Sequence, residues 1–234
     1  MEQRCSGGKA EAPALLIFDC DGVLVDSEVM SAEIVVNVLR RHGLEIDLAR
    51  VYRDFLGRSM ESLRAAVLHE NGFEIGAAEL DELRSEMQVR IRRELRSIPG
   101  TFRAISQLPA ARCVASSSRP ERIRLSLEAT GLLELFEPNI FSATMVSSGK
   151  PAPDLFLLAA RSMGFRPADC IVIEDSPAGV EAAKNAGMRV VAFVGGSHAA
   201  PSGLQDKLAQ IGPDAIFDDM QRLPELLAEV SGLN

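Results

Sequence analysis

The sequence predicts an α/β protein whose core is a parallel, Rossmann-like sheet, interrupted after its first strand by an inserted bundle of four helices. Three observations carry this prediction. Leu15-Leu16-Ile17-Phe18 is an apolar run with no polar partner, the pattern of a strand covered on both faces. Helical periodicity then continues for about seventy residues without another strand. From Pro99-Gly100 onward strands and helices alternate, which indicates a parallel sheet. The resulting division is a mobile N-terminal tail over 1–12, a core built from 13–28 and 98–234, and the helical insert over 29–97.

The elements follow from local signals. In the insert, Val29 to His42 carries Ile34, Val35, Val38 and Leu39 on one side and stops at Gly43. Asp47 to Leu56 is a second helical piece, stopped by Gly57. Ser59 can cap a third, Met60 to Glu70, before Asn71-Gly72 breaks it, and Ala77 to Ser97 is the fourth. Tyr52 and Phe55 are assigned to the insert's own core. Beyond Pro99-Gly100, a helix over Thr101 to Gln107 leads to strand Arg112 to Ala115. A helix over Glu121 to Thr130 precedes the short strand Ile140 to Ser142. The helix Leu155 to Met163 leads to strand Cys170 to Ile173. Ser176 is placed to cap the next helix, with Pro177 at its first position and Gly187 at its end. Val190 to Val194 and Ala215 to Phe217 complete six strands.

Composition narrows the function. With 234 residues, 47% of them hydrophobic, the chain can bury a sizeable core. Its net charge of -8 argues against nucleic acid, because phosphate backbones are bound by basic surfaces. The arginines between Arg84 and Arg96 alternate with apolar residues at helical spacing and read as a solvated helix face. No stretch approaches the roughly 20 apolar residues of a membrane span, and Met1 to Ala12 has no apolar segment of a secretory signal. The expectation is a cytoplasmic protein, a monomer or weak homodimer, without nucleic acid or membrane partners. The four cysteines lack CxxC spacing and read as reduced packing thiols; Cys20, between two aspartates, is the one placed where oxidation would matter.

Polar residues stand directly after apolar runs at four places: Asp19 with Asp21, Ser116, Lys150 after a loop, and Glu174 with Asp175. Parallel strands bring these to one edge of the sheet, where ligands bind in open α/β folds. Carboxylates converging there would repel one another unless a cation joined them. Oxygen ligands of this kind suit Mg²⁺, held by one or two carboxylates and a substrate phosphate. A calcium loop is excluded, since the positions that should be Gly and Glu counting from Asp19 are Leu24 and Met30. His42, His69 and His198 lie near none of these groups and read as surface or helix-end residues, and Gly195-Gly196-Ser197-His198 reads as a surface turn.

These four places, in this order, resemble the haloacid dehalogenase superfamily, and its phosphatase branch in particular. Asp19, Asp21, Gly22, Asp26, Ser27 and Glu28 match the DxDGxxxDSE motif, Ser116 the strand-terminal Ser/Thr, Lys150 the KPxPD lysine, and Glu174 with Asp175 the acidic pair. The resemblance implies that the 29–97 insert is a cap over the site. It also implies a two-step phosphoryl transfer, with Asp19 as nucleophile forming an aspartyl-phosphate and Asp21 as acid and base, its pKa moved toward neutrality. Mg²⁺ would be held by Asp19, the Asp21 backbone carbonyl and Asp175, with Glu174 close by. Ser116 and Lys150 would hold phosphoryl oxygens, Ser118 would add a contact to phosphate, and Arg58 in the cap loop Leu56 to Met60 would face an anionic group of the substrate. The acid at position 21 favours phosphate over halide. The first motif looks most like the branch containing 6-phosphogluconate phosphatase, which favours a sugar or sugar-acid phosphate among small phosphorylated metabolites. Two alternatives stand beside this: a β-phosphoglucomutase-like mutase, whose pattern has His and Arg where this chain has Ser31 and Met60, and a non-catalytic module binding Mg²⁺ or phosphate.

Overall fold

The protein is described by a computed structural model over residues 15–54 and 60–231. The expected tail over 1–12, Cys5, Phe55, the Ser59 cap and Arg58 lie outside the described residues. The chain runs β1 (Leu15–Phe18), α1 (Glu28–Arg41), α2 (Leu48–Asp54), α3 (Met60–Asn71), α4 (Ala77–Glu94), α5 (Thr101–Ser106), β2 (Ala111–Ser116), α6 (Pro120–Ala129) and β3 (Ile140–Ser142). It continues through α7 (Asp154–Met163), β4 (Cys170–Glu174), α8 (Pro177–Asn185), β5 (Arg189–Phe193), α9 (Ala199–Ser202), α10 (Leu204–Ile211), β6 (Ala215–Phe217) and α11 (Leu223–Val230).

The six strands form one parallel sheet in the order β3-β2-β1-β4-β5-β6. Successive strand residues point to opposite faces, and here both faces are buried. Leu16 and Phe18 pack with Ile123 and Leu127 of α6 and Leu223 and Leu227 of α11. Leu15 and Ile17 pack with Phe156 and Ala159 of α7 and Val180 and Ala183 of α8 on the other side. This is why β1 carries no polar residue until it reaches the sheet edge. At that edge backbone polarity is free for loops and side chains to use.

Helices α1 to α4 occupy the stretch between β1 and the rest of the core. Helix α4 packs against α1 and against α6 of the core, while α2 packs against α9. Helix α4 ends at Glu94, short of the expected Ser97, for a local reason. Leu95 turns to an extended ψ of 139°, and the chain beyond it pairs with the segment leaving β1. Val25 bridges Ser97, the Asp26 N–H donates to the Arg96 carbonyl, and the Ile98 N–H donates to the Leu24 carbonyl. The sequence reading places no helix beyond the Val190 to Val194 strand, yet α9, α10 and α11 follow it; each is only eight residues or fewer, too short for the periodicity to stand out. Among the described residues no helix is long and apolar enough to cross a membrane.

Candidate active site

Three parallel strands deliver the site. β1 is followed directly by Asp19, β2 ends in Ser116, and β4 ends in Glu174 followed by Asp175; all four side chains are buried. The Asp19 N–H continues the ladder by donating to the Ile173 carbonyl at 2.9 Å, so the carboxylate inherits the rigidity of the sheet. Gly22, at φ +80°, lets the chain turn back immediately. A Cβ there would lie 1.9 Å from Asp175 Oδ2, so this turn is pressed against the neighbouring acid.

Lys150, from the loop before α7, reaches into the same place and is almost fully buried. Its Nζ donates to Asp19 Oδ1 at 2.5 Å, to Glu174 Oε1 at 2.6 Å and to the Ala115 carbonyl at 3.1 Å. The ammonium also lies 4.9 Å from the centre of the Phe156 ring. Burial works against its charge, but Asp19 and Glu174 more than compensate and hold its pKa above the ordinary lysine value. The second oxygen of Glu174 accepts from the N–H and hydroxyl of Ser176, the N-cap of α8 whose hydroxyl accepts from the Gly179 N–H. Glu174, expected close to a cation, therefore has both oxygens in use.

Asp19 and Asp175 are pushed well above the usual carboxylate range. Burial is the main cause for each. Repulsion from Glu174 adds to both, and the Lys150 ammonium works against the rise at both.

Asp21 departs from expectation. Burial raises its pKa, but the Arg122 guanidinium and hydrogen bonds from Ser27, Ser118 and Arg122 outweigh burial and leave it below the usual range rather than near neutrality. Ser27 Oγ donates to Oδ1 at 2.5 Å, Ser118 Oγ to Oδ2 at 2.7 Å and Arg122 Nη2 to Oδ1 at 2.8 Å. Ser118, expected on phosphate, is thus engaged with Asp21, while its N–H donates to Ser116 Oγ at 3.1 Å and Ser142 holds its carbonyl. Arg122 also reaches Ser31 of α1, at 3.2 Å.

Asp19, Asp21, Ser116, Ser118, Lys150, Glu174 and Asp175 are therefore brought to one edge. Arg122, Ser27, Glu28 and His198 join them without having been singled out as site residues. His198 is not on the surface: it is buried at the start of α9, and its Nε2 lies 2.9 Å from Asp175 Oδ2. The surface turn expected before it is tied down instead, since the Ser197 N–H and hydroxyl both donate to Asp26 Oδ1. Half-buried Glu28 is raised to about 7, by burial first and then by Asp175 and Asp21. Cys20 is fully buried, and burial keeps its thiol well above the ordinary cysteine value, which favours the reduced packing role over oxidation there.

Comparison with known proteins agrees with this geometry. The haloacid dehalogenase-like hydrolase family model matches residues 13–187. The 6-phosphogluconate phosphatase of Escherichia coli (strain K12) is 30% identical over 212 residues, covering 90% of this chain and 93% of that protein. Hexitol phosphatase A of the same organism is 33% identical over 196 residues, covering 81% and 83%. A conserved haloacid dehalogenase-like protein of unknown function from Agrobacterium tumefaciens has a solved structure that superposes with a TM-score of 0.80 at 34% identity, covering 93% of this chain and 99% of that one. On the match over residues 13–187 and on these relatives, the chain belongs to the haloacid dehalogenase-like hydrolases, in their phosphatase branch.

Proposed function

We propose that this protein is a Mg²⁺-dependent phosphatase that hydrolyses a small sugar or sugar-acid phosphate through an aspartyl-phosphate on Asp19. The observation that carries the reading is Lys150, whose buried ammonium bridges Asp19 and Glu174 beside Ser116. A nucleophilic carboxylate, a fixed cation and a buried hydroxyl at one point are what an incoming phosphoryl group requires. The substrate class is supported by the 6-phosphogluconate and hexitol phosphatases among the relatives. The mutase alternative gains no support at Ser31, which is engaged with the Ser27 carbonyl and Arg122.

The donor set fits Mg²⁺. Asp19 and Asp175 are raised by burial and like charge, the situation a hard divalent cation relieves. Among the described residues no group of three His, Cys, Asp or Glu side chains is arranged to hold a metal ion by itself. Mg²⁺ is characteristically held by one or two carboxylates together with water and a substrate phosphate. Asp19, Asp175 and the Asp21 backbone carbonyl would hold it, and when bound it supplies positive charge against the phosphoryl oxygens.

In the first step an Asp19 oxygen attacks phosphorus and the bond to the leaving oxygen breaks, with Asp21 giving that oxygen a proton. In the second, water attacks the phosphoryl group, the bond to Asp19 breaks, and Asp21 takes the proton. Asp21 as held by Arg122, Ser27 and Ser118 is the deprotonated form that the second step uses, and the first step uses the protonated form that the second step regenerates. Lys150 and Ser116 steady the phosphoryl oxygens, and Glu174 keeps Lys150 in place. The backbone pairs at Val25 to Ser97 are the hinge on which the helical insert would swing as a cap.

The test is phosphate release from a panel of sugar and sugar-acid phosphates, with Mg²⁺ and with a chelator. Release is expected with Mg²⁺ alone, and Asp19→Asn should lower it by at least about a thousandfold. No metal-dependent release from any substrate would sink the phosphatase reading. Activity surviving Asp19→Asn would sink the nucleophile assignment.

A further inference from the structure

We propose that Arg122 is a positioning residue for the acid and base of the reaction: it occupies Asp21 Oδ1 and so leaves Oδ2 as the oxygen that exchanges a proton with the reactants. The inference rests on the phosphatase reading above. An ionised carboxylate offers about four lone-pair sites, divided equally between its oxygens. Ser27 Oγ and Arg122 Nη2 both donate to Oδ1, at 2.5 Å and 2.8 Å, whereas among the described residues Oδ2 accepts from Ser118 Oγ alone, at 2.7 Å. The site left over is therefore on Oδ2. In the first step the proton on Oδ2 passes to the leaving oxygen as the bond from that oxygen to phosphorus breaks. In the second, a water proton returns to Oδ2 while the water oxygen bonds to phosphorus and the bond to Asp19 breaks.

Arg122 is itself held in place. It lies in the first turn of α6, whose Ile123 and Leu127 pack with Leu16 and Phe18 of β1, so the guanidinium projects from an element fixed to the sheet. The Nη2 group has a hydrogen for each of two acceptors, and the second goes to Ser31 Oγ at 3.2 Å. Ser31 Oγ donates to the Ser27 carbonyl at 2.8 Å, and Ser27 Oγ returns to Asp21 Oδ1. These bonds close a ring through Asp21, Arg122, Ser31 and Ser27, which joins the turn after β1 to α6 and to the start of α1. The Nε of Arg122 is buried with no hydrogen-bond partner among the described residues, a cost offset by the charged bond that Nη2 makes to Asp21. Without Arg122, Oδ1 would keep Ser27 and Oδ2 would keep Ser118. Each oxygen would then have one hydroxyl donor, and nothing would decide which of them faces the reactants.

The experiment compares kcat/KM, which covers substrate binding and the first step, for two compounds with Mg²⁺ present. One is the sugar phosphate that the panel above ranks first, and the other is p-nitrophenyl phosphate, whose leaving group departs without a proton. Arg122→Met keeps an unbranched stem and removes the donor. Its value on the sugar phosphate should fall about 10–100-fold and its value on p-nitrophenyl phosphate far less, so the ratio of the two should change by about tenfold or more. A merely structural loss lowers both together; an unchanged ratio in folded Arg122→Met would overturn the proposal. Asp21→Asn should move the ratio in the same direction and further, and no movement there would overturn it too. Where Arg122→Met fails to fold, Ser31→Ala removes the second acceptor of Nη2. The ratio should still shift the same way, by about threefold or more, and an unchanged ratio in that variant overturns the proposal. A wild-type protein that releases phosphate from neither compound would instead overturn the phosphatase reading on which this rests.

Discussion

Asp19 and Asp21 stand two residues apart and are driven in opposite directions, because Lys150 cannot offset burial at the first whereas Arg122 and two hydroxyls do so at the second. Replacing Arg122 by Met should therefore raise the Asp21 pKa and cost about 1–3 kcal/mol at neutral pH, read from urea unfolding. The sign with pH follows from linkage. A depressed carboxyl contributes stability above its unfolded pKa and loses it as pH falls through its folded one, so the gap between the two proteins should narrow below about pH 4. A constant gap would contradict this account. Glu28 behaves in the reverse sense. Its native pKa of about 7 lies above the unfolded value of 4.5, so the native state binds its proton more tightly and stability drops as pH rises through that window. In chelator, the melting temperature of Glu28→Gln should fall less than that of the wild type between about pH 4 and about pH 8, which lie either side of that window.

At the level of elements, α8 shows how a cap and a site share one hydroxyl. Ser176 Oγ accepts from the Gly179 N–H and donates to Glu174 Oε2, so Ser176→Ala removes the helix cap and loosens the residue that steadies Lys150. Its cost should reach about 1–2 kcal/mol by chemical denaturation, and phosphatase activity should fall with it. A stability loss with unchanged activity would separate the two roles. Ser176 was legible in the sequence as a cap before Pro177, whereas Asp19, Ser116 and Asp175 were legible for a different reason. In a parallel sheet the end of every strand is at the same edge, so sequence position after an apolar run gives spatial position. Arg122 and His198 were not found because neither follows a strand directly. Each nonetheless left a signal. Arg122 lies in the first turn of α6, where a positive charge opposes the helix dipole and calls for a nearby carboxylate. His198 follows β5 by a short Gly-Gly-Ser link, and extending the strand-end rule across that link would have reached it. The short helices α9 to α11 were illegible because packing against the sheet, and not periodicity over many turns, sustains them.

For the molecule as a whole, the order β3-β2-β1-β4-β5-β6 puts the strand that leads to Asp19, the proposed nucleophile, in the middle of the sheet, hydrogen-bonded on both sides. Amide exchange reports that position. Ile17 and Phe18 can trade hydrogen for deuterium only when the whole sheet opens, so their protection should equal the global unfolding free energy, while exposed Ser197, held by a side chain, exchanges through local opening. Equal protection at these sites would refute the expectation. The consequence reaches beyond exchange. Warming cannot loosen Asp19 ahead of the rest of the protein, so on heating, catalysis should persist undiminished by drift of this carboxylate until the domain melts, and inactivation and unfolding should trace one curve.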